Sequence, residues 1–153
     1  MFIKSVKVKK PGVLGIAITA GVICLLIILG LTAYRFAKPT VYEMKSEKQR
    51  QDFISEMGWQ VSKEFDECKA AVIPEEWNEV YENYNKLQKQ QGFDLSRFKG
   101  KTVEIYTYKV KNYPEHEKSD DINCTLIVYE GQLIGGDVCS VELNGFMQGL
   151  KKK

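Results

Sequence analysis

An uncharged run from Pro11 to Tyr34 constrains this chain more than any other feature of its sequence. As a helix, these residues span about 36 Å at a rise of about 1.5 Å each, enough to cross a bilayer core of about 30 Å. A secretory signal peptide has a shorter apolar region that ends at small residues, whereas the best cleavage site here begins with the bulky Leu31. The run therefore predicts an uncleaved transmembrane anchor, with cleavage and secretion as the alternative.

The charges on either side of the run predict its orientation. Basic residues are more numerous before the run than directly after it: Lys4, Lys7, Lys9 and Lys10, then Arg35 and Lys38. Because the more basic flank stays in the cytoplasm, we expect the N-terminus inside the cell and the rest of the chain outside. The predicted order is a cytoplasmic basic tail, a transmembrane anchor, a stalk, an extracytoplasmic domain and a second basic tail, at residues 1–10, 11–36, 37–46, 47–150 and 151–153.

The part of the chain after Lys38 is acidic, although the whole chain is not. It carries 16 Lys and Arg against 20 Asp and Glu, a net charge of −4, whereas the full chain has a net charge of +2. An acidic domain with scattered charges argues against nucleic acid as a partner. The expected partners are the lipid bilayer and another membrane or envelope protein.

Two helices are predicted after the stalk. Ser46 and Gln49 have the spacing of a capping box, which starts a short helix, and Gly58 is typical of the residue that ends one. A longer amphipathic helix is expected between Pro74 and Gly92. Its apolar stripe is predicted to be buried, and comprises Trp77, Val80, Tyr81, Tyr84 and Leu87.

Alternating patterns predict the strands. We expect them at residues 68–73, 102–110, 123–129 and 132–141, with a tight turn at Glu130-Gly131 and a bulge at Gly135-Gly136. The fold class predicted is α+β, in which the short helix and the long amphipathic helix pack on a mainly antiparallel sheet of three to five strands. This domain follows the single N-terminal transmembrane helix.

Two groups of residues are candidates for sites. Five aromatic side chains could line a ligand groove between the long helix and the sheet, namely Trp77, Tyr81, Tyr84, Tyr106 and Tyr108, although core packing is the ordinary account of such residues. Pairing across the turn places Cys124 and Cys139 on one face of the sheet, one diagonal step apart, so a disulfide is possible there. A bulge would change that geometry.

The sequence contains no recognisable catalytic, cofactor-binding or metal-binding set of residues. His116 is the single histidine, which excludes sites that need two or three. Cys139 with a histidine base, or the carboxylate pairs Glu75-Glu76 and Asp120-Asp121, would be needed for a hydrolase. We therefore expect no catalytic residue, no cofactor and no metal.

Several motifs resemble a known family. They include Ile73-Pro74-Glu75-Glu76-Trp77, Gln91-Gly92-Phe93-Asp94-Leu95, Asn112-Tyr113-Pro114 and Ile134-Gly135-Gly136-Asp137-Val138-Cys139-Ser140. They are similar to a bacterial domain family of unknown function, number 4830, found mainly in Gram-positive anaerobes, and the likeness covers nearly all of residues 47–150. The resemblance implies a membrane-anchored envelope protein. It implies no site residue, because the family has no established activity.

The function predicted from the sequence is that of a membrane-anchored, extracytoplasmic interaction or sensing module that is not catalytic. An envelope hydrolase that uses Cys139 or paired carboxylates is one alternative. An accessory subunit of a membrane complex, in which the helix itself forms the interface, is the other.

Overall fold

A computed structural model describes residues 22–31, 41–117 and 119–152 of the chain. The predicted cytoplasmic tail, most of the predicted anchor and part of the stalk lie outside these residues. Residues 22–31 are helical, and all of their side chains are exposed. Within the described part of the chain, no helix is both long and apolar enough to cross a membrane.

The chain divides into two units, residues 1–40 and Val41–Lys153, and the described residues of the latter form three helices and one sheet. The helices are α1 (Glu47–Glu56), α2 (Glu79–Gln90) and a 3-10 helix (Leu95–Phe98). The strands are β1 (Glu67–Val72), β2 (Thr102–Lys109), β3 (Ile122–Tyr129), β4 (Gln132–Ser140) and β5 (Met147–Gln148). All pair antiparallel, in the order β1-β2-β3-β4-β5, which confirms the α+β class.

Helix α1 packs on one face of the sheet. Its predicted capping box is confirmed, because the Ser46 hydroxyl accepts from the Gln49 backbone N–H while the Gln49 side chain accepts from the Ser46 N–H. The helix buries Phe53 and Ile54 against alternate residues of β2, β3 and β4. Burying each such side chain contributes about 1.5–3 kcal/mol before entropy. The larger of the two hydrophobic cores lies on this face of the sheet.

Helix α2 lies with the 3-10 helix on the opposite face, and the stripe that the sequence predicts is only partly buried, since Trp77, Tyr84 and Leu87 are half-buried. The prediction was wrong for Val80 and Tyr81, whose side chains are 72% and 43% exposed. The helix instead buries Asn85 and Gln88, two polar residues. The apolar part of this second core comes mostly from other elements, namely Ile73, Leu95, Val103, Ile127 and Ile134.

Gln88 is buried because it completes the hydrogen bonding of β4. Strand β5 has only two residues and pairs with Val138 and Cys139, so it does not cover Gly136. The Gln88 amide donates to the Gly136 carbonyl at 3.0 Å, and its oxygen accepts from the Gly136 N–H at 2.9 Å. A side-chain amide thus takes the place of a neighbouring strand. Position 136 suits glycine, because a Cβ atom there would lie too close to the Thr125 carbonyl oxygen of β3.

The turn between β3 and β4 confirms one prediction and corrects another. Glu130 and Gly131 both have positive φ, at 50° and 74°, as a tight hairpin turn requires. A register shift between Ile127 and Val128 then makes Cys124 face Val138, while Cys139 faces Asn123. Because side chains alternate between faces, the two cysteines lie on opposite sides of the sheet. The proposed disulfide was therefore wrong, and both thiols are free.

Candidate functional site

The structure divides the five aromatic residues of the predicted groove between the two faces of the sheet. Trp77, Tyr81 and Tyr84 line one cavity on the α2 side. Tyr106 and Tyr108 pack in the core on the α1 side, so placing them in the same groove was wrong. The reason is the alternation along β2, whose residues Val103 and Ile105 are the ones that face the cavity.

Tyr106 and Tyr108 are instead neighbours of a buried arginine. Arg50, 6% exposed, donates from Nε to the Tyr108 hydroxyl at 2.9 Å and stacks over the Tyr106 ring with Cζ 4.0 Å from its centroid. Its other two nitrogens donate to the Met44 carbonyl at 2.8 Å and to a Glu47 carboxylate oxygen at 2.9 Å. All three guanidinium nitrogens are bonded, so this cluster serves the fold.

The cavity on the α2 side has a volume of about 360 Å³. It lies between the sheet and the segment that runs from Ile73 into α2. Most of its walls are apolar or aromatic, and they comprise Ala71, Val72, Ile73, Pro74, Trp77, Tyr81, Tyr84, Leu95, Val103, Ile105, Ile127 and Met147. The polar exceptions are Thr125, Asp137 and Cys139. A mostly apolar cleft with a few polar groups is the usual form of a small-molecule site.

Asp137 is the most unusual residue of the cavity. It lies on β4 opposite Thr125 and is 4% exposed. The Tyr84 hydroxyl donates to its Oδ2 at 2.7 Å. Its Oδ1 is also buried, and it has no hydrogen-bond partner among the described residues. Buried polar atoms are nearly always bonded, so a half-bonded carboxylate in a cavity wall calls for a functional explanation.

The surroundings of Asp137 favour its protonated form. Burial raises the pKa of its carboxyl, against the opposing effects of the Tyr84 hydroxyl and the Cys139 thiol. Burial and the nearby carboxyl also raise the pKa of the Cys139 thiol to about 12, and they raise the pKa of Tyr84. The tyrosine and the thiol therefore stay protonated at neutral pH.

This arrangement does not favour the nucleophilic chemistry that Cys139 would need. A thiolate is the reactive form of cysteine, and the raised pKa keeps Cys139 in its thiol form. The groups that act on it are the Asp137 carboxyl, which raises its pKa, and Lys109, which lowers it, rather than a histidine base. His116 pairs through Nδ1 with Asp121, at 2.8 Å, and its ring lies edge-on to Tyr113.

The two carboxylate pairs are also engaged elsewhere or open to solvent. Asp120 forms an ion pair with Lys111, and this contact lowers its pKa. Asp121 accepts from the Ser119 hydroxyl, which lowers its pKa as well. Glu75 and Glu76 are exposed. Over the described residues, no three His, Cys, Asp or Glu side chains come together as a metal site.

A larger groove of about 930 Å³ lies near the ends of α1 and α2, between Tyr42, Met57 and Gln91. Its half-buried amide is already bonded, because Gln91 donates to the Gly136 carbonyl at 3.0 Å and accepts from the Leu150 N–H at 2.6 Å. A shallower depression of about 650 Å³ shares Tyr81, Tyr84 and Met147 with the smaller cavity. We therefore regard the cavity that contains Asp137 as the candidate site. The depression borders this cavity and is not part of the site.

Sequence reasoning found the three aromatic residues of the site but missed Asp137. It placed Asp137 only at the start of a strand that follows a bulge. One signal was present: an acidic residue stands between Gly136 and Val138 in a strand of otherwise uncharged residues. A carboxylate in such a strand is either on an exposed face or in a specialised buried position, and pattern alone does not separate these cases.

The comparison with protein families identifies the chain. Residues 53–138, more than half of its 153 residues, match the family described as "Domain of unknown function (DUF4830)". The chain belongs to that family, which confirms the resemblance seen in its motifs. No curated protein matches the chain, and no solved structure does.

Proposed function

We propose that this member of the DUF4830 family is a ligand-binding module, held outside the cell by an N-terminal membrane anchor, that does not catalyse a reaction. Its site is the cavity between α2 and the sheet. The observation that carries this proposal is the Oδ1 atom of Asp137, a buried acceptor in the wall of a cavity with no partner among the described residues.

The energetics of the cavity support binding over a purely structural role. Leaving a buried polar atom unbonded costs about 1–3 kcal/mol, a large part of the stability of a small domain. An apolar side chain at position 137 would avoid that cost and would match the walls around it. A ligand that donates to Oδ1 recovers the lost hydrogen bond and fills an apolar cavity of about 360 Å³, within the usual size of small-molecule sites.

Two features support a membrane location. The uncharged run from Pro11 to Tyr34 has the length of a membrane span. Its described part, residues 22–31, is helical and exposes large apolar side chains such as Leu25 and Leu26, at 61% and 62%. Apolar side chains exposed on all sides of a helix are stable in lipid and costly in water.

The cavity is testable by methyl NMR on the full-length chain. Three isoleucines line it, Ile73, Ile105 and Ile127, while Ile54 and Ile122 lie in the core on the opposite face and serve as internal controls. We expect fragments from a general library of amines, alcohols and acids to shift the first three signals and not the control signals. If no fragment shifts the cavity methyls selectively, the cavity is not a ligand site.

The location is testable through Cys68. This thiol lies on the exposed strand β1, whereas Cys124 is buried and Cys139 is half-buried. A membrane-impermeant maleimide should label the protein on intact cells, and a Cys68→Ser variant should lose that label. Labelling that requires cell lysis would place the domain in the cytoplasm and refute this part of the proposal.

A further inference from the structure

Asp137 is the single charged residue among the described residues that line the cavity. No lysine, arginine or histidine of the described chain stands in the same wall. Its Oδ2 accepts from Tyr84, a neutral donor, and Oδ1 accepts from none of the described groups. A buried carboxyl either takes up a proton or pairs with a cation, so a charged Asp137 needs a cation from outside the described residues.

The aromatic walls of the cavity suit a cation as well. Trp77 and Tyr81 stack with their ring centroids 6.5 Å apart at the outer side of the cavity. The Trp77 ring already accepts a cation in this fold, because Lys99 Nζ lies 4.4 Å from its centroid. Aromatic faces attract ammonium groups, and sites for organic cations often combine such faces with a carboxylate.

The surface charge next to these rings is mainly acidic. Four exposed glutamates flank Trp77 and Tyr81 in the sequence, Glu75, Glu76, Glu79 and Glu82, against the single Lys99 over the ring. Negative charge beside a cleft raises the local concentration of cations and repels anions. The electrostatics outside the cavity therefore agree with those inside it.

We infer that the cavity binds an organic cation, an ammonium group on an apolar body, with the ammonium donating to Asp137 Oδ1 and the body packed against Trp77, Tyr81 and Ile105. This inference rests on the proposed function, since it assigns a ligand class to the same site. The carboxylate is already held in place and removed from water, so little ordering is required when the ammonium arrives. Tyr84 keeps Oδ2 occupied and leaves Oδ1 for the ligand.

Three probes with the same indole body separate the possible chemistries: tryptamine, a cation; tryptophol, its neutral alcohol; and indolepropionate, an anion. Binding is followed on the full-length chain through the methyl signals of Ile73, Ile105 and Ile127. A hydrogen bond between two charged groups is stronger than one between a charged and a neutral group, so we expect tryptamine to bind at least about tenfold more tightly than tryptophol. Indolepropionate should bind most weakly.

The matched variant is Asp137→Asn, which keeps the shape of the side chain and removes its charge. We expect it to abolish the preference for tryptamine. Asp120→Asn, on an exposed loop, is the control and should keep that preference. The comparison of amine with alcohol needs no variant, so it remains decisive if Asp137→Asn fails to fold.

Other results would overturn the inference in distinguishable ways. Equal binding of tryptamine and tryptophol, tightest binding of indolepropionate, or an unchanged preference in Asp137→Asn would refute the cation while leaving the cavity as a ligand site. Failure of all three probes would also refute it, and the fragment screen decides separately whether the cavity binds ligands at all.

The pH dependence provides a second readout. The titratable groups that interact with Asp137 are Tyr84 from α2, Cys139 from β4 and Cys124 from β3, and all three stay protonated at neutral pH because their pKa values are raised. The cation Lys109 of β2 acts on Cys139. Tryptamine affinity should therefore fall as the pH drops and Asp137 takes up a proton. An affinity for tryptophol that rises over the same range would indicate that a protonated Asp137 donates to a neutral ligand instead.

Discussion

The hydrogen bond between Tyr84 and Asp137 should be one of the strongest single contacts on the α2 side. The substitution Tyr84→Phe removes only the hydroxyl, whose oxygen lies 2.7 Å from Asp137 Oδ2. In the variant, the carboxyl would keep only the weak donor Cys139 near it, in a side chain that is 4% exposed. Hydrogen bonds to charged groups contribute about 1.5–3 kcal/mol, so we expect the free energy of unfolding to fall by about that amount at pH 8.

The cost of Tyr84→Phe should depend on pH. Burial raises the pKa of Asp137 above its ordinary value of 3.8. At a pH between 3.8 and the raised pKa, the folded state therefore holds a proton that the unfolded state has released. Stability therefore decreases as the pH rises through this range and levels off above it. The Tyr84 hydroxyl lowers the pKa of Asp137, so the variant extends this range upwards. The substitution should cost about 0.5–1.5 kcal/mol below about pH 4, where the carboxyl is neutral, and more at pH 8.

The assay is urea denaturation of the full-length chain at several pH values, followed by the fluorescence of Trp59 and Trp77. Tyr81→Phe is a matched control, because Tyr81 lies one turn away on the same helix and its side chain is 43% exposed. That control should change the unfolding free energy by less than about 0.5 kcal/mol. A Tyr84→Phe cost as small as the control's, or one that does not increase with pH, would refute the account of the buried carboxylate.

Three further predictions concern the rest of the fold. Gln88→Ala leaves the Gly136 N–H without its side-chain acceptor and should lower the free energy of unfolding by about 2–4 kcal/mol, measured by urea denaturation. Arg50→Lys replaces a planar guanidinium, which donates to three groups, with a compact ammonium. It should lower the free energy of unfolding by about 1–3 kcal/mol in the same assay. Iodoacetamide at neutral pH should alkylate the exposed Cys68 much faster than Cys139, whose pKa is raised to about 12, as peptide mass spectrometry would show.

Local signals in the sequence predicted much of the fold because their causes are local. The capping box at Ser46 and the turn at Glu130-Gly131 depend on a few neighbouring residues, and both are present in the structure. The packing of α2 was not predictable in this way. Its periodicity indicates a buried apolar stripe, but the short length of β5 creates a need for the Gln88 amide, which turns the helix towards polar contacts.

The predicted site was only partly found for a related reason. A register shift of one residue reverses the face of every later side chain in a strand. The shift between Ile127 and Val128 moves Asp137 to the cavity side and separates Cys124 from Cys139. The sequence pattern places a bulge near Gly135 but does not determine its register. The position of Asp137 therefore depended on a detail that only the folded pairing reveals.

The two buried ionisable residues among the described arginines, lysines and carboxylates, Arg50 and Asp137, are used differently, and the difference indicates where a ligand belongs. Each guanidinium nitrogen of Arg50 donates to a group within the fold, and one of its partners, Glu47, carries the opposite charge. Asp137 accepts one hydrogen bond from a neutral donor, Tyr84, with the Cys139 thiol near its carboxyl, and the described lining of its cavity holds no cation. Replacing Arg50 would break contacts that the fold requires, whereas replacing Asp137 would remove a group that the fold leaves half-bonded. A side chain that lowers stability and lines a cavity is best explained by a role in binding a ligand in that cavity.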